Sequence, residues 1–206
     1  PRQPCNRRQE QKNVLEKVAS PTQYPVTLSE IKRHLRVTID DDDSLLTDYI
    51  AAATEYCEDQ VPGSRSFMSQ TWDWKIHLFP GDSFEIPRPP LQSLTHIKYF
   101  ATDSSTAVTT LSSTGYLVHT PENMPGVIEL HPEIGAWPTV ADRADAVQVR
   151  FISGWTTAPN QVKQAIKLLV GQWYATRENV LTGTIVATPP HAVTALLGSI
   201  GYGSYS

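Results

Sequence analysis

A chain of 206 residues, 40% hydrophobic and 18% charged, holds enough apolar material for a real core, as one larger domain or as a small domain carrying an insert. Its net charge of −4 argues against a surface that is wholly a nucleic-acid footprint, and no stretch reaches the roughly 18 consecutive apolar residues of a membrane span. The first 20 residues lack the apolar run of a secretory signal, and Cys5 and Cys57 sit in dissimilar surroundings, so the expectation is a soluble, non-secreted chain without a structural disulfide or a cysteine-bound zinc.

Residues 1–25 read as a basic arm. Arg2, Arg7, Arg8, Lys12 and Lys17 outweigh Glu10 and Glu16 there, while the body is acidic. A solvated tail is one reading, and an arm docking on DNA or an acidic partner through Arg2, Arg7 and Arg8 is the other.

Residues 26–65 read as two helices. Thr27-Leu28-Ser29-Glu30 has the spacing of a capping box, and Leu28, Ile31 and Leu35 give the first helix one apolar stripe ending near Arg36. Four aspartates, Asp40 to Asp43, then precede Leu45, Leu46, Tyr49, Ile50, Ala53 and Cys57 at helical spacing. This order makes Asp42 and Asp43 expected N-cap residues, whose carboxylates would meet free N–H groups and the positive end of the helix dipole. A calcium loop starting at Asp40 would need glycine at its sixth position and glutamate at its twelfth, where Leu45 and Ala51 stand. Pro62-Gly63 stops the helix.

Residues 66–155 change period. Met68, Trp72, Trp74, Ile76 and Leu78 alternate with polar residues, Gln70 being the exception, which predicts a half-buried strand. Trp72 and Trp74, interleaved with Lys75, could serve as a base-stacking platform, but their shared face with Ile76 and Leu78 favours core packing. Further strands are predicted around residues 83–86, 94–100, 116–119, 127–130 and 147–152, separated by Pro and Gly turns. Residues 156–198 return to helical period: Pro159 opens a helix carrying Val162, Ala165, Ile166, Leu169, Val170 and Trp173, and a last short helix stops at Gly198. The expected class is α+β, a small helical bundle formed by N- and C-terminal helices with an inserted antiparallel β-sandwich or barrel-like module.

No motif specifies a reaction. The six histidines lack metal-ligand spacing, and no nucleophile elbow or phosphate loop occurs, so no catalytic residue, metal or cofactor is expected. A carbohydrate module using Trp72, Trp74, Glu55 and Asp59 would need its tryptophans in an open groove. The tail, residues 199–206, has a different interest. Ordering it costs on the order of 1–2 kcal/mol per residue, while burying Ile200, Tyr202 and Tyr205 returns about 1.5–3 kcal/mol each. Such a tail calls for another chain, for instance by strand addition with the tyrosines as anchors.

Several stretches in order, "VTLSEIKRHLRV", "LLTDYIAAATEYCED", "SQTW", "IPRPPLQSLTHIKYF", "DAVQVRFISGW", "VKQAIKLLVGQWYATRE" and "GTIVATPPHAVTALL", resemble the head-tail connector or adaptor proteins of long-tailed bacteriophages and gene transfer agents. The resemblance spans roughly residues 26–198 and implies a structural protein without catalytic residues. It implies a ring of twelve copies beneath the portal in the virion neck, assembled in the host cytoplasm, with DNA passing through and no membrane. It also implies portal contact by the C-terminal segment, at Ile200, Tyr202 and Tyr205, and reception of a tail-side stopper or terminator by other loops. "GTIVAT", with Thr184, Ile185 and Val186, is expected at a contact between subunits. A tail-completion or terminator protein of the same virion is the alternative within this resemblance.

Overall fold

The computed structural model describes residues 13–102, 106–176 and 191–201. Helix α1, Leu28–Leu35, starts on a complete capping box: Thr27 Oγ1 accepts from the Glu30 amide at 3.2 Å, and Glu30 accepts from the Thr27 amide at 2.9 Å. It ends where Arg36 turns into the left-handed region at φ 58°. Helix α2, Asp43–Gln60, buries Leu46, Ile50, Ala53 and Cys57 on one face. After the β module, α3, Asn160–Ala175, and α4, His191–Gly198, complete the bundle. Val162, Ala165, Ile166 and Leu169 of α3 meet Ile31 of α1, the α2 face, and Val193 and Leu197 of α4 in one core. Trp173 packs edge-on against Tyr49 and Tyr56, at 6.0 and 6.4 Å between ring centres. Helices from the two ends of the chain thus bury one another's stripes, which none could do alone.

The β segment forms two antiparallel sheets. The larger has the order β1-β2-β8-β4-β5, from Val14–Ala19, Gln70–Ile76, Val147–Ser153, Leu91–Phe100 and Val108–Thr110. The smaller has the order β3-β7-β6, from Ser83–Glu85, Val127–Leu130 and Tyr116–His119. Trp72, Trp74 and Ile76 of β2 stand opposite Phe151, Val149 and Val147 of β8, and these six side chains pack with Phe84, Ile97 and Ile128 between the sheets. Five strands facing three make a sandwich-like pair, and no barrel closes.

Two strands have no counterpart among the expected elements. β5 is only three residues long and exposed throughout. β1 lies inside the stretch read as a basic arm, where residues 14–19 pair with β2 instead of trailing as a tail. Its sequence conceals it, because only Leu15 is even partly buried and no apolar alternation marks the strand.

Candidate functional site

The bundle and the β module meet at a buried polar seam. Glu58, on the face of α2 that turns toward the sheets, is 2% exposed and accepts from the Phe67 amide at 2.7 Å and from Gln70 Nε2 at 2.6 Å. Its own carbonyl accepts from the Arg65 amide at 3.0 Å. Ser66 receives the Trp72 indole N–H at 3.1 Å and the Ser153 hydroxyl at 2.9 Å, so the strand entering the module and the strand leaving it are tied at one point. Arg65 donates to the Asn123 carbonyl and lies over the Trp155 ring, whose N–H reaches Asn123 Oδ1 at 3.0 Å. Burial pushes the Glu58 carboxyl above its ordinary value, partly offset by the Phe67 amide, Lys17, Arg88 and Gln70. Next to it the Cys57 thiol is pushed up to about 12, first by burial and then by Glu58, which leaves it an inert core residue. The sequence carried one sign of this seam: Gln70, the polar exception in an otherwise apolar row, is the residue that answers Glu58.

The aspartate run serves packing in a way its spacing did not disclose. Asp42 stands at the N-cap position of α2, yet its backbone is at ψ 7° and its side chain makes no cap hydrogen bond. It accepts instead from the Tyr174 hydroxyl at 2.6 Å, tying the start of α2 to the end of α3. Asp43 is already the first helical residue, and Lys32 of α1 reaches it at 2.7 Å and Asp40 at 2.5 Å. A lysine ammonium therefore occupies the position between the two carboxylates that a cation would take. Hydrogen bonds to Asp40 and Asp43 raise the Lys32 ammonium pKa, and Lys32 in turn lowers that of Asp40. Thr27, in contrast, caps α1 with its side chain. No group of three or more His, Cys, Asp or Glu side chains with metal-binding geometry occurs among the described residues.

Trp72 and Trp74 are 5% and 9% exposed, each inside the sandwich core, so they line no open carbohydrate groove. Lys17 and Arg88 lie over the Trp72 ring at 5.4 and 5.0 Å, and Arg88 also pairs with Asp59 at 2.6 Å. A groove of about 110 Å³ runs between α2 and α4, lined by Tyr56, Gln60, Pro62, Val193, Thr194, Leu197 and Gly198. That lining is mainly apolar and carries no carboxylate, imidazole or thiol, which suits packing better than chemistry. Ile200 is half-buried against the helical core of its own chain. Arg2, Arg7, Arg8, Thr184, Ile185, Val186, Tyr202 and Tyr205 lie outside the described residues.

No curated protein matches the chain. Among solved structures, a chain from the neck of an empty gene transfer agent particle, computed with C6 symmetry, superposes with a TM-score of 0.73 at 20% identity, over 92% of this chain and 96% of that one. A chain from the virion of a native gene transfer agent particle gives 0.72 at the same identity and coverage. A chain from the neck of a native particle computed with C12 symmetry gives 0.69, again at 20% identity over 92% and 96%. The bundle and the β module are both inside this shared fold. Residues 25–126, from the entry to α1 through β6, match the family of phage gp6-like head-tail connector proteins.

Proposed function

We infer that this chain is a structural connector of a virion neck, forming a ring that joins the DNA-filled head to the tail and lets DNA pass. One observation carries the reading: the likeness to gene transfer agent neck chains covers 92% of the chain, so it continues well past the family stretch of residues 25–126. The C6 and C12 symmetries of those necks support a cyclic arrangement of copies, for which we take twelve, with the portal on one side and a stopper or terminator on the other. The physics of such a ring tolerates weak individual contacts, because closure and repetition raise the effective concentration at every joint. An acidic body around the channel also avoids gripping the phosphate backbone.

Within this reading the basic arm at Arg2, Arg7 and Arg8, the "GTIVAT" contact at Thr184 to Val186, and the tyrosines of the tail are the proposed meeting points with neighbouring chains. Ile200 already packs on its own bundle, so the portal contact falls to Tyr202 and Tyr205. Imaging of particles with an affinity label on this chain tests the role: density at the neck is expected, and label along the tail tube or at its distal end would overturn it. Deleting residues 202–206 should leave the circular dichroism unchanged and abolish co-sedimentation with portal rings. Unaltered co-sedimentation would remove the tail contact while leaving the connector role standing, and binding to isolated tail-tube protein would favour the terminator role.

A further inference from the structure

Among the described residues the larger sheet has two edges without a further strand, and we propose that they form a single contact: β5 of one copy pairs in parallel with β1 of the next, so that the sheet continues from copy to copy. The proposal rests on the ring reading above and adds the surfaces that would build it.

Backbone comes first. β1 is bonded to β2 on one side, and among the described residues Val14 to Ala19 make no backbone hydrogen bond on the other. β5 is bonded to β4 through Lys98, Tyr99 and Phe100, and its far side likewise has no strand. Unpaired strand edges are templates for pairing, and soluble proteins guard them with short strands, prolines, outward lysines or bulges. Brevity is the guard for β3 and β5, of three residues each, and for β6, of four, which leaves β1 as the one long edge among the described strands. β1 has six residues and no proline, its one lysine, Lys17, turns inward over the Trp72 ring at 5.4 Å, and its register against β2 shifts only between Lys17 and Ala19, which leaves Val14 to Lys17 regular.

Side chains agree. Val14, 38% exposed, and Glu16 stand on the sheet face that carries Lys75 and Asp73, and Val18, 48% exposed, sits at the register shift between Lys17 and Ala19. At the opposite edge Val108 is 45% exposed, and Thr109 and Thr110 are exposed with it. β-branched side chains favour the extended backbone and gain most when flanked by strands on both sides. Both edges thus hold strand-forming residues left in water.

Topology then selects the arrangement. Four antiparallel pairings separate β1 from β5, so the two edge strands run in the same direction. Joining opposite edges places every copy in the same orientation relative to the next, a head-to-tail contact that a rotation can close into a ring, whereas β1 on β1 would be two-fold and stop at a dimer. Three residues of β5 make each joint weak, as a ring built on repetition allows.

Thiol cross-linking tests the proposal on the full chain with Cys5→Ser, Cys57 being buried and unreactive. Val14→Cys, Glu16→Cys or Val18→Cys is combined with Val108→Cys or Thr110→Cys, and dibromobimane is added at a concentration where electron microscopy shows rings. All these substitutions are at exposed edge positions, and circular dichroism checks the fold. A ladder of covalent oligomers from at least one pair is expected, at least about ten times stronger than from either single cysteine, where RT ln 10 is about 1.4 kcal/mol. Intact rings without a ladder, or dimers from Val18→Cys alone, would overturn the edge pairing and leave the connector role untouched. Absence of rings at any concentration, on portal or off it, would overturn both.

Discussion

Glu58 is the residue on which the seam between bundle and sheets depends. Its carboxylate answers two buried donors, the Phe67 amide and Gln70 Nε2. Removing it strands both, at about 1–3 kcal/mol for each donor left without a partner. Glu58→Ala should therefore lower the urea midpoint strongly, whereas Glu58→Gln keeps an acceptor oxygen and should cost far less. The pH dependence has a definite sign. Because burial raises the Glu58 value above its ordinary 4.5, the folded state holds this proton more tightly than the unfolded chain does. Stability from this group is fully present below 4.5 and is lost as pH rises through the raised value. Comparing wild type with Glu58→Gln across that window isolates it. Asp73 has the opposite sign: its paired hydrogen bonds from Arg150, both 2.6 Å, lower its value, so its contribution is present above 3.8 and is lost as pH falls through the lowered value. Gly154 is the second residue the seam cannot exchange. At φ 111° with the Met68 carbonyl oxygen 2.0 Å from where a Cβ would stand, alanine demands a backbone shift. Gly154→Ala should cost about 3 kcal/mol, and a loss of that size lowers the melting temperature of a chain this long by about 6–12 °C.

Elements differ in how openly their sequences announce them. α1 was legible to the residue, because a capping box is local chemistry that nothing distant overrides; Thr27→Ala should cost about 1 kcal/mol, measured by thermal melting. β2 was legible because Trp72, Trp74 and Ile76 alternate cleanly, and their partners in β8 alternate in register. β1 was not, since it is an edge strand with one face in water and draws its order from pairing with β2, a partner more than 50 residues away. Asp42 teaches a related lesson. Its place before an apolar helix predicted a cap, but the Tyr174 hydroxyl, brought near only by the packing of α3 on α2, takes the carboxylate instead. Of the candidate site residues, the expected caps Thr27, Asp42 and Asp43 and the contact candidate Ile200 have positions in the fold, and each makes contacts within its own chain. The burial of Glu58 and Arg65 was invisible to sequence reasoning, because a charged residue reads as solvent-facing unless the chain that covers it is known.

Across the whole molecule two cores are stacked end to end, one among the helices and one between the sheets, with the seam separating them. Helices from the beginning and the end of the chain complete the first core without help from the strands. Replacing residues 70–153 by two glycines should accordingly leave a chain with helical circular dichroism and a cooperative, lower-temperature melt; a random-coil spectrum would refute this. The reason lies in Ser66 and Ser153, whose hydroxyls meet at 2.9 Å. Outgoing and returning backbones leave the bundle through one doorway, so any lobe whose own ends lie side by side can be hung there. The projecting half of such a chain is free to grow, shrink or be exchanged over evolutionary time to match new neighbours, while the helical half keeps its seat.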